Sequence, residues 1–293
     1  MRRTLFACLV LVLLGLSACA PAQGTQNDSA ASGEYIQNKG SDTIVNLALA
    51  WAEQYQAEHS DVRLSVTGGG SGTGITALID GSADIANASR AIKKEEIEQA
   101  EAKGIEPVEH VIARDAIAVI VHPSNPVSRL TLQQISAIYR GEINNWQEVG
   151  GENRPIVRLS RETNSGTHVY FLETVVRLGD KNNKSLFSPS TLLLPSSEGI
   201  ISEVRDNPNA IGYDGLGYII PEVKMLEVAR AEGEAYILPS VESVNDGKYP
   251  ISRDLYMYSR KDAPQKVNDY LAWLLTPEAQ KTVLKLGFVP IQP

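Results

Sequence analysis

Two short segments have the residue types to hold an anion. Ser71-Gly72-Thr73 and Ser165-Gly166-Thr167 each follow a stretch patterned as a strand and open one patterned as a helix. A helix start leaves backbone N–H groups without partners and carries partial positive charge. Glycine lets a ligand approach the backbone closely, and Ser or Thr hydroxyls add donors, so such a turn binds an anion without net positive charge. Ser41-Asp42-Thr43 sits in the same strand-to-helix place without the glycine, and Gly68 to Gly74 is the richest of these turns. Arg161 ends the strand predicted over Ile156 to Ser160, four residues ahead of Ser165. There its forked guanidinium is aimed at whatever the following helix start holds. Any one Gly/Ser/Thr turn is more often a plain cap, and an isolated arginine is usually a surface residue. The recurrence at equivalent places is what favours a site.

Catalytic readings fit the same residues less well. Gly69-x-x-x-x-Gly74 has the spacing of a nucleotide phosphate loop, but Ile75 stands where its lysine belongs. Ser71 is not a nucleophile elbow, because Thr73 takes the place of the last glycine of Gly-x-Ser-x-Gly. His59, His110, His122 and His168 show no metal-ligand spacing. His168 beside Ser165 would be needed for a hydrolase, yet neighbouring helical side chains diverge and no third group is implied. The reading is of a non-enzymatic protein with no metal and no cofactor.

These turns must be carried by alternating strands and helices. Val62 to Val66 alternates as a strand, and Ile44, Leu47, Trp51 and Tyr55 fall at helical spacing. Ala116 to Val121 is a continuous apolar run of strand type, ended by His122-Pro123. Thr131 and Gln134 form a capping box for a helix that stops at Gly141. Helices are expected over Thr167 to Arg177 and Glu198 to Arg205, a strand over Ala210 to Tyr213, and a final helix from Thr276-Pro277. The alternation predicts an α/β protein with largely parallel sheets. A length of 293 residues suits two lobes better than one core.

The first residues read as an address. Arg2-Arg3 precedes an apolar run from Leu5 to Leu16, followed by Leu16-Ser17-Ala18-Cys19. Small residues before a cysteine at that point resemble the bacterial lipobox, so residues 1–18 are expected to be a lipoprotein signal peptide and Cys19 a lipidated N-terminus. Residues 19–34 are expected to be a flexible tether to the membrane anchor. Removal of Cys8 with the leader leaves one cysteine and excludes a disulfide. It also removes Arg2 and Arg3, which takes the formal charge from −8 to −10. Nucleic acid is therefore excluded as a partner, and an anion must be bound by local dipoles rather than bulk attraction.

Several stretches together resemble the phosphate-binding proteins of ABC transporters (the PstS type). They are Gly40-Ser41-Asp42-Thr43-Ile44, the Gly68 to Gly74 turn, Ala83 through Arg90, and Arg161 through Thr167. Leu130-Thr131-Leu132 through Asn145-Trp146, Ala210-Ile211-Gly212-Tyr213 and Gly287-Phe288-Val289-Pro290 support the match, which runs from about Gly40 to Pro290. The resemblance implies a periplasmic-binding-protein-like fold of type II, with two α/β lobes, a hinge and the ligand in the cleft. Lobe I would be residues 35–115 with 218–293, and lobe II residues 116–217. Carried over, Ser41, Thr43, Ile44, Ser71, Ser89 and Arg90 would bind phosphate from one lobe, and Arg161, Ser165, Gly166 and Thr167 from the other. Some family members place an aspartate where Ser89-Arg90 stands here, to accept the proton that distinguishes phosphate from sulfate. Asp115 and Asp42 are the candidates left for that role. The implied partners are inorganic phosphate, ABC permease subunits and, through Cys19, the membrane. Rival readings are a binding protein for sulfate, molybdate or tungstate, a phosphoester hydrolase using Ser165 or Ser71, or a phosphate sensor.

Overall fold

The computed structural model describes residues 34–291; the signal peptide, Cys19 and nearly all of the expected tether lie outside them. In chain order, β1 (Glu34–Gly40), α1 (Asp42–Glu58), β2 (Val62–Thr67), α2 (Ser71–Ile79), β3 (Ile85–Ala88) and α3 (Lys94–Ala102) lead into the long strand β4 (Pro107–Val121). Then come β5 (Arg129–Thr131), α4 (Leu132–Arg140), β6 (Val157–Arg161) and α5 (Gly166–Phe171). They are followed by β7 (Leu192–Leu194), α6 (Ser197–Asp206), β8 (Ala210–Gly215), β9 (Lys224–Met225) and β10 (Glu227–Ala229). The chain closes with α7 (Val241–Asn245), β11 (Ser252–Arg260), α8 (Gln265–Leu274) and α9 (Pro277–Lys285).

β4 is the strand around which the body is organised. The main sheet runs β2-β1-β3-β11-β4-β8-β6-β7, with β9 also paired to β4. Residues Pro107 to Ala116 of β4 pair with β11, and from Ile117 onward β4 pairs with β8 instead. One strand thus serves two halves, and it changes partner between Ala116 and Ile117. The pairs β1 with β2 and β3, and β6 with β7 and β8, are parallel as the βαβ alternation predicts. The central pairs of β11 with β3 and β4, and of β4 with β8 and β9, are antiparallel. The sheet is therefore mixed rather than largely parallel, because the strands that join the halves arrive from distant parts of the chain.

Past Gly217 the chain touches both halves: the Tyr218 hydroxyl donates to the Asp42 carbonyl at 2.5 Å, whereas the strands that follow turn back to the second half. β9 pairs with β4 beyond Ile117, β10 pairs with β5, and Tyr249 and Ile251 pack with Ile117, Tyr139 and Phe171. Ser252, opposite Ala116, is where the pairing resumes in the first half.

Local structure follows the expected chemistry in several places. The Thr131 hydroxyl accepts from the Gln134 N–H at 3.2 Å while the Gln134 side chain accepts from the Thr131 N–H at 2.9 Å, which closes the capping box. Thr276 caps α9, with Pro277 as its first residue. Trp51 is fully buried in α1 and its indole N–H donates to the Ala279 carbonyl at 2.8 Å, tying α1 to α9. In the second half the Phe171 and Tyr213 rings stack at 3.6 Å. The helix expected over Thr167 to Arg177 starts one residue earlier and widens into a π-helical turn over Leu172–Val176.

Candidate functional site

Three strand ends and three helix starts converge where the halves meet. In the first half the Ser41 hydroxyl donates to Ser89 Oγ at 2.8 Å, and Ser71 Oγ lies 3.3 Å from Ser89 Oγ and accepts from the Ser89 N–H at 3.0 Å. Ser71, Ser89 and Thr43 are each at most 1% exposed. The Gly70 N–H donates to the Gly40 carbonyl at 2.9 Å, holding the glycine turn beside the end of β1. Gly70 has a φ of +92°, which a side chain would strain. A Cβ at Gly74 would run into Lys39 and Gly40, so α2 is able to lie against β1 only through a glycine.

The second half brings its own turn onto this cluster. A Cβ at Gly166 would run into the hydroxyls of Ser71 and Ser89. Thr43 Oγ1 and Thr167 Oγ1 share a hydrogen bond of 2.7 Å across the cleft, and the Gly72 N–H donates to the Asn164 carbonyl at 3.1 Å. Ser165 is buried as the residue preceding α5. The predicted residues Ser41, Thr43, Ser71, Ser89, Gly166 and Thr167 are thus brought together from both halves.

The predicted Arg161 is 1% exposed and is held by protein on every side. One terminal nitrogen donates to Asp42 Oδ2 at 2.8 Å and to the Pro195 carbonyl at 2.9 Å. The other donates to Ser197 Oγ at 2.9 Å, and Nε donates to the Leu194 carbonyl at 3.4 Å. Arg90 lies at the edge of the cluster with its guanidinium forked onto Glu96, at 2.6 and 2.8 Å, which also lowers the Glu96 pKa against its burial. Ile44 is buried, and its N–H donates to the Ser41 carbonyl at 3.1 Å.

Both oxygens of each carboxylate proposed as a proton acceptor already accept from the protein. Asp42 accepts from the Gly69 N–H and from Arg161; Asp115 accepts from the Leu216 N–H at 3.2 Å and from Arg253 at 3.0 Å. Burial raises the Asp115 pKa, and Arg253 opposes the rise.

Two charged residues of the site were not signalled by any motif. Arg253, on β11, is buried and donates to Thr167 Oγ1 at 2.9 Å, to Asp115 Oδ2 and to the Ser89 carbonyl at 2.8 Å, with Thr43 Oγ1 at 3.5 Å. It stands directly opposite Asp115 in the β11–β4 register, which places both on one face of the sheet. Its signal in the sequence is phase: Arg253, Leu255 and Met257 alternate, and all three are buried. Asp214, at the end of β8, is fully buried and its pKa is pushed up to about 6 by burial, with Arg161 opposing. Its Oδ1 accepts from Ser197 Oγ and the Gly215 N–H, while its Oδ2 has no hydrogen-bond partner and lies 3.8 Å from Arg161.

The hydrolase arrangement does not form. His168 Nδ1 lies 3.0 Å from Ser160 Oγ, its ring packs on Phe187 at 4.6 Å, and burial lowers its pKa. Ser160 in turn bonds Tyr213 at 2.6 Å, so His168 belongs to a core network away from Ser165. Among the described residues no group of three or more His, Cys, Asp and Glu is placed to hold a metal ion.

Hydroxyls, helix starts and buried guanidinium groups gathered between two halves of one sheet define a solute-binding protein. Comparison with known proteins agrees. A sequence model of the PBP superfamily domain matches residues 24–278. The phosphate-binding protein PstS of Pseudomonas aeruginosa is 32% identical over 99% of this chain and 95% of its own length. A crystal structure from Clostridium perfringens with bound phosphate, described as that of a phosphate ABC transporter substrate-binding protein, is 32% identical and has a TM-score of 0.77, covering 88% of this chain and all of the other. An ABC-type phosphate transport receptor from Vibrio cholerae is 28% identical with a TM-score of 0.70, again over 88% of this chain and all of its own. The chain belongs to the PBP superfamily and, within it, to the family of the phosphate-binding proteins PstS.

Proposed function

We propose that this protein is an extracytoplasmic receptor that captures inorganic phosphate and delivers it to an ABC permease. The observation that carries this reading is the meeting of Ser71, Ser89 and Thr43 from one half with Gly166 and Thr167 from the other, sealed by the Thr43–Thr167 contact of 2.7 Å. Such a cluster offers a tetrahedral oxyanion hydroxyl and backbone donors from both sides without bulk positive charge. The names of the relatives support phosphate as the ligand, and those relatives are described as binding or transport proteins rather than enzymes.

The working lobes in this reading are residues 35–115 with 252–291, and residues 116–251. The hinge lies where β4 changes partner after Ala116 and where the chain returns at Ser252. Closing the lobes on the anion joins Thr43 to Thr167 and presents one closed surface to the permease. In the same reading, Cys19 carries the lipid anchor and the residues after it tether the receptor to the membrane.

Calorimetric titration of phosphate-stripped protein tests this. Expected are 1:1 phosphate binding, weaker binding of sulfate, molybdate and tungstate, and a loss of at least tenfold in Thr167→Val. Absence of phosphate binding by the stripped wild-type protein overturns the reading; tighter binding of another oxyanion replaces the ligand.

A further inference from the structure

We propose that Arg253 is a direct cationic ligand of the bound oxyanion, held in place by Asp115, so that the C-terminal strand β11 supplies the charge that meets the anion. The inference rests on the phosphate-receptor reading and deepens it by naming a residue outside every recognised motif.

Donor use separates the two buried arginines. Arg161 spends its three nitrogens on Leu194, Pro195, Ser197 and Asp42. Arg253 instead reaches the hydroxyls that line the cleft: it donates to Thr167 Oγ1 at 2.9 Å, with Thr43 Oγ1 at 3.5 Å, and so touches the threonine pair from both halves. Its Nε is buried without a hydrogen-bond partner. A buried guanidinium N–H left unpaired is costly, and an anionic oxygen is the partner that suits it best. Asp115 fixes one terminal nitrogen at 3.0 Å and the Ser89 carbonyl fixes the other at 2.8 Å, so the fork is oriented before any ligand arrives.

A cavity opens beside this residue. Arg253 lines this cavity of about 380 Å³ together with Arg90, Lys93, Tyr170, Glu173 and Asp254. Its three cationic side chains face two carboxylates, Glu173 and Asp254, and Arg90 is already paired with Glu96.

The test is phosphate calorimetry on stripped wild-type protein and the variants Arg253→Met, Arg253→Lys and the double variant Arg253→Met/Asp115→Asn, with urea unfolding of each. The double variant removes both members of the buried pair and so avoids leaving Asp115 charged and unpaired. Expected are a loss of at least 100-fold in affinity for Arg253→Met, a similar loss for the double variant with a cooperative unfolding transition retained, and an intermediate loss of about tenfold for Arg253→Lys, which keeps the charge but not the fork. Wild-type protein that binds phosphate while the folded double variant matches it within threefold overturns the Arg253 assignment alone. Wild-type protein that takes no phosphate overturns both this inference and the receptor reading.

Discussion

Two buried arginines, one from each half, stand at the cleft and differ in their protein partners. Arg161 is announced by its place before Ser165-Gly166-Thr167, yet it is enclosed by Asp42, Ser197 and two carbonyls, with Asp214 beyond them at 3.8 Å. Arg253 has no motif around it, yet it is the one that touches the hydroxyls of both halves. The contrast teaches that proximity in sequence to an anion-ready turn locates a cation without assigning its work. What assigns it is the count of donors already satisfied by protein.

That contrast is breakable by experiment. Arg161→Met leaves Asp42 and the fully buried Asp214 without their cation, so its main effect is expected on stability, a loss of about 3–5 kcal/mol in urea unfolding. A loss below about 1 kcal/mol would mean that Arg161 does not hold these two carboxylates in place. The next effect concerns Asp214, whose pKa rises from 3.8 in the unfolded chain to about 6 in the folded one. The folded state holds this proton more tightly, so its stability contribution is intact below pH 3.8 and is lost as pH rises through about 6. Asp214→Asn does not titrate; relative to wild type it should therefore be more stable at pH 7.5 than at pH 4 by about 2 kcal/mol. A difference that does not change with pH would remove Asp214 from the buried cluster.

Smaller effects sharpen the cleft itself. Gly166→Ala drives a methyl group into Ser71 and Ser89 across the cleft, and the lobes can relieve it by parting. It should weaken phosphate binding by about tenfold, with a larger radius of gyration in solution scattering when phosphate is present. Retained affinity with an unchanged radius would show that the Gly166 face is not part of the closing surface. The smallest effect expected is that of salt. The cations of the site are buried, so raising ionic strength from about 0.05 to 0.5 M should change the phosphate dissociation constant by less than threefold. A steep dependence would shift the binding role to exposed residues such as Lys93.

Much of the cleft was readable because it depends on local chemistry. Ser71-Gly72-Thr73, Ser165-Gly166-Thr167 and Ser41-Asp42-Thr43 are recognisable from strand-to-helix punctuation alone, and all three turns reach the cleft. The capping box at Thr131 and the cap at Thr276 follow from residues three apart. What escaped depends on register. Arg253 meets Asp115 only because β11 lies antiparallel to β4 with those residues paired, and no local pattern reports which distant strand will be a neighbour. Arg90 illustrates the converse. Its place next to Ser89 suggested a ligand contact, but Glu96, six residues on, captures its fork. The mixed character of the sheet escaped for the same reason, since alternation along the chain predicts parallel pairs and says little about a strand that comes home late.

That late strand also sets an order of assembly. β3 and β4 do not pair with one another; β11 lies between them and bonds to both. The half containing β1, β2 and β3 therefore lacks its middle strand until residues 252–260 have been made, whereas the half spanning residues 116–251 has all its own pairings before then. Long-range pairing of this kind slows folding and leaves strand edges exposed in the meantime. A nascent chain of this protein is expected to acquire protease resistance in its middle segment first, with the amino-terminal segment protected only after the carboxy-terminal one arrives.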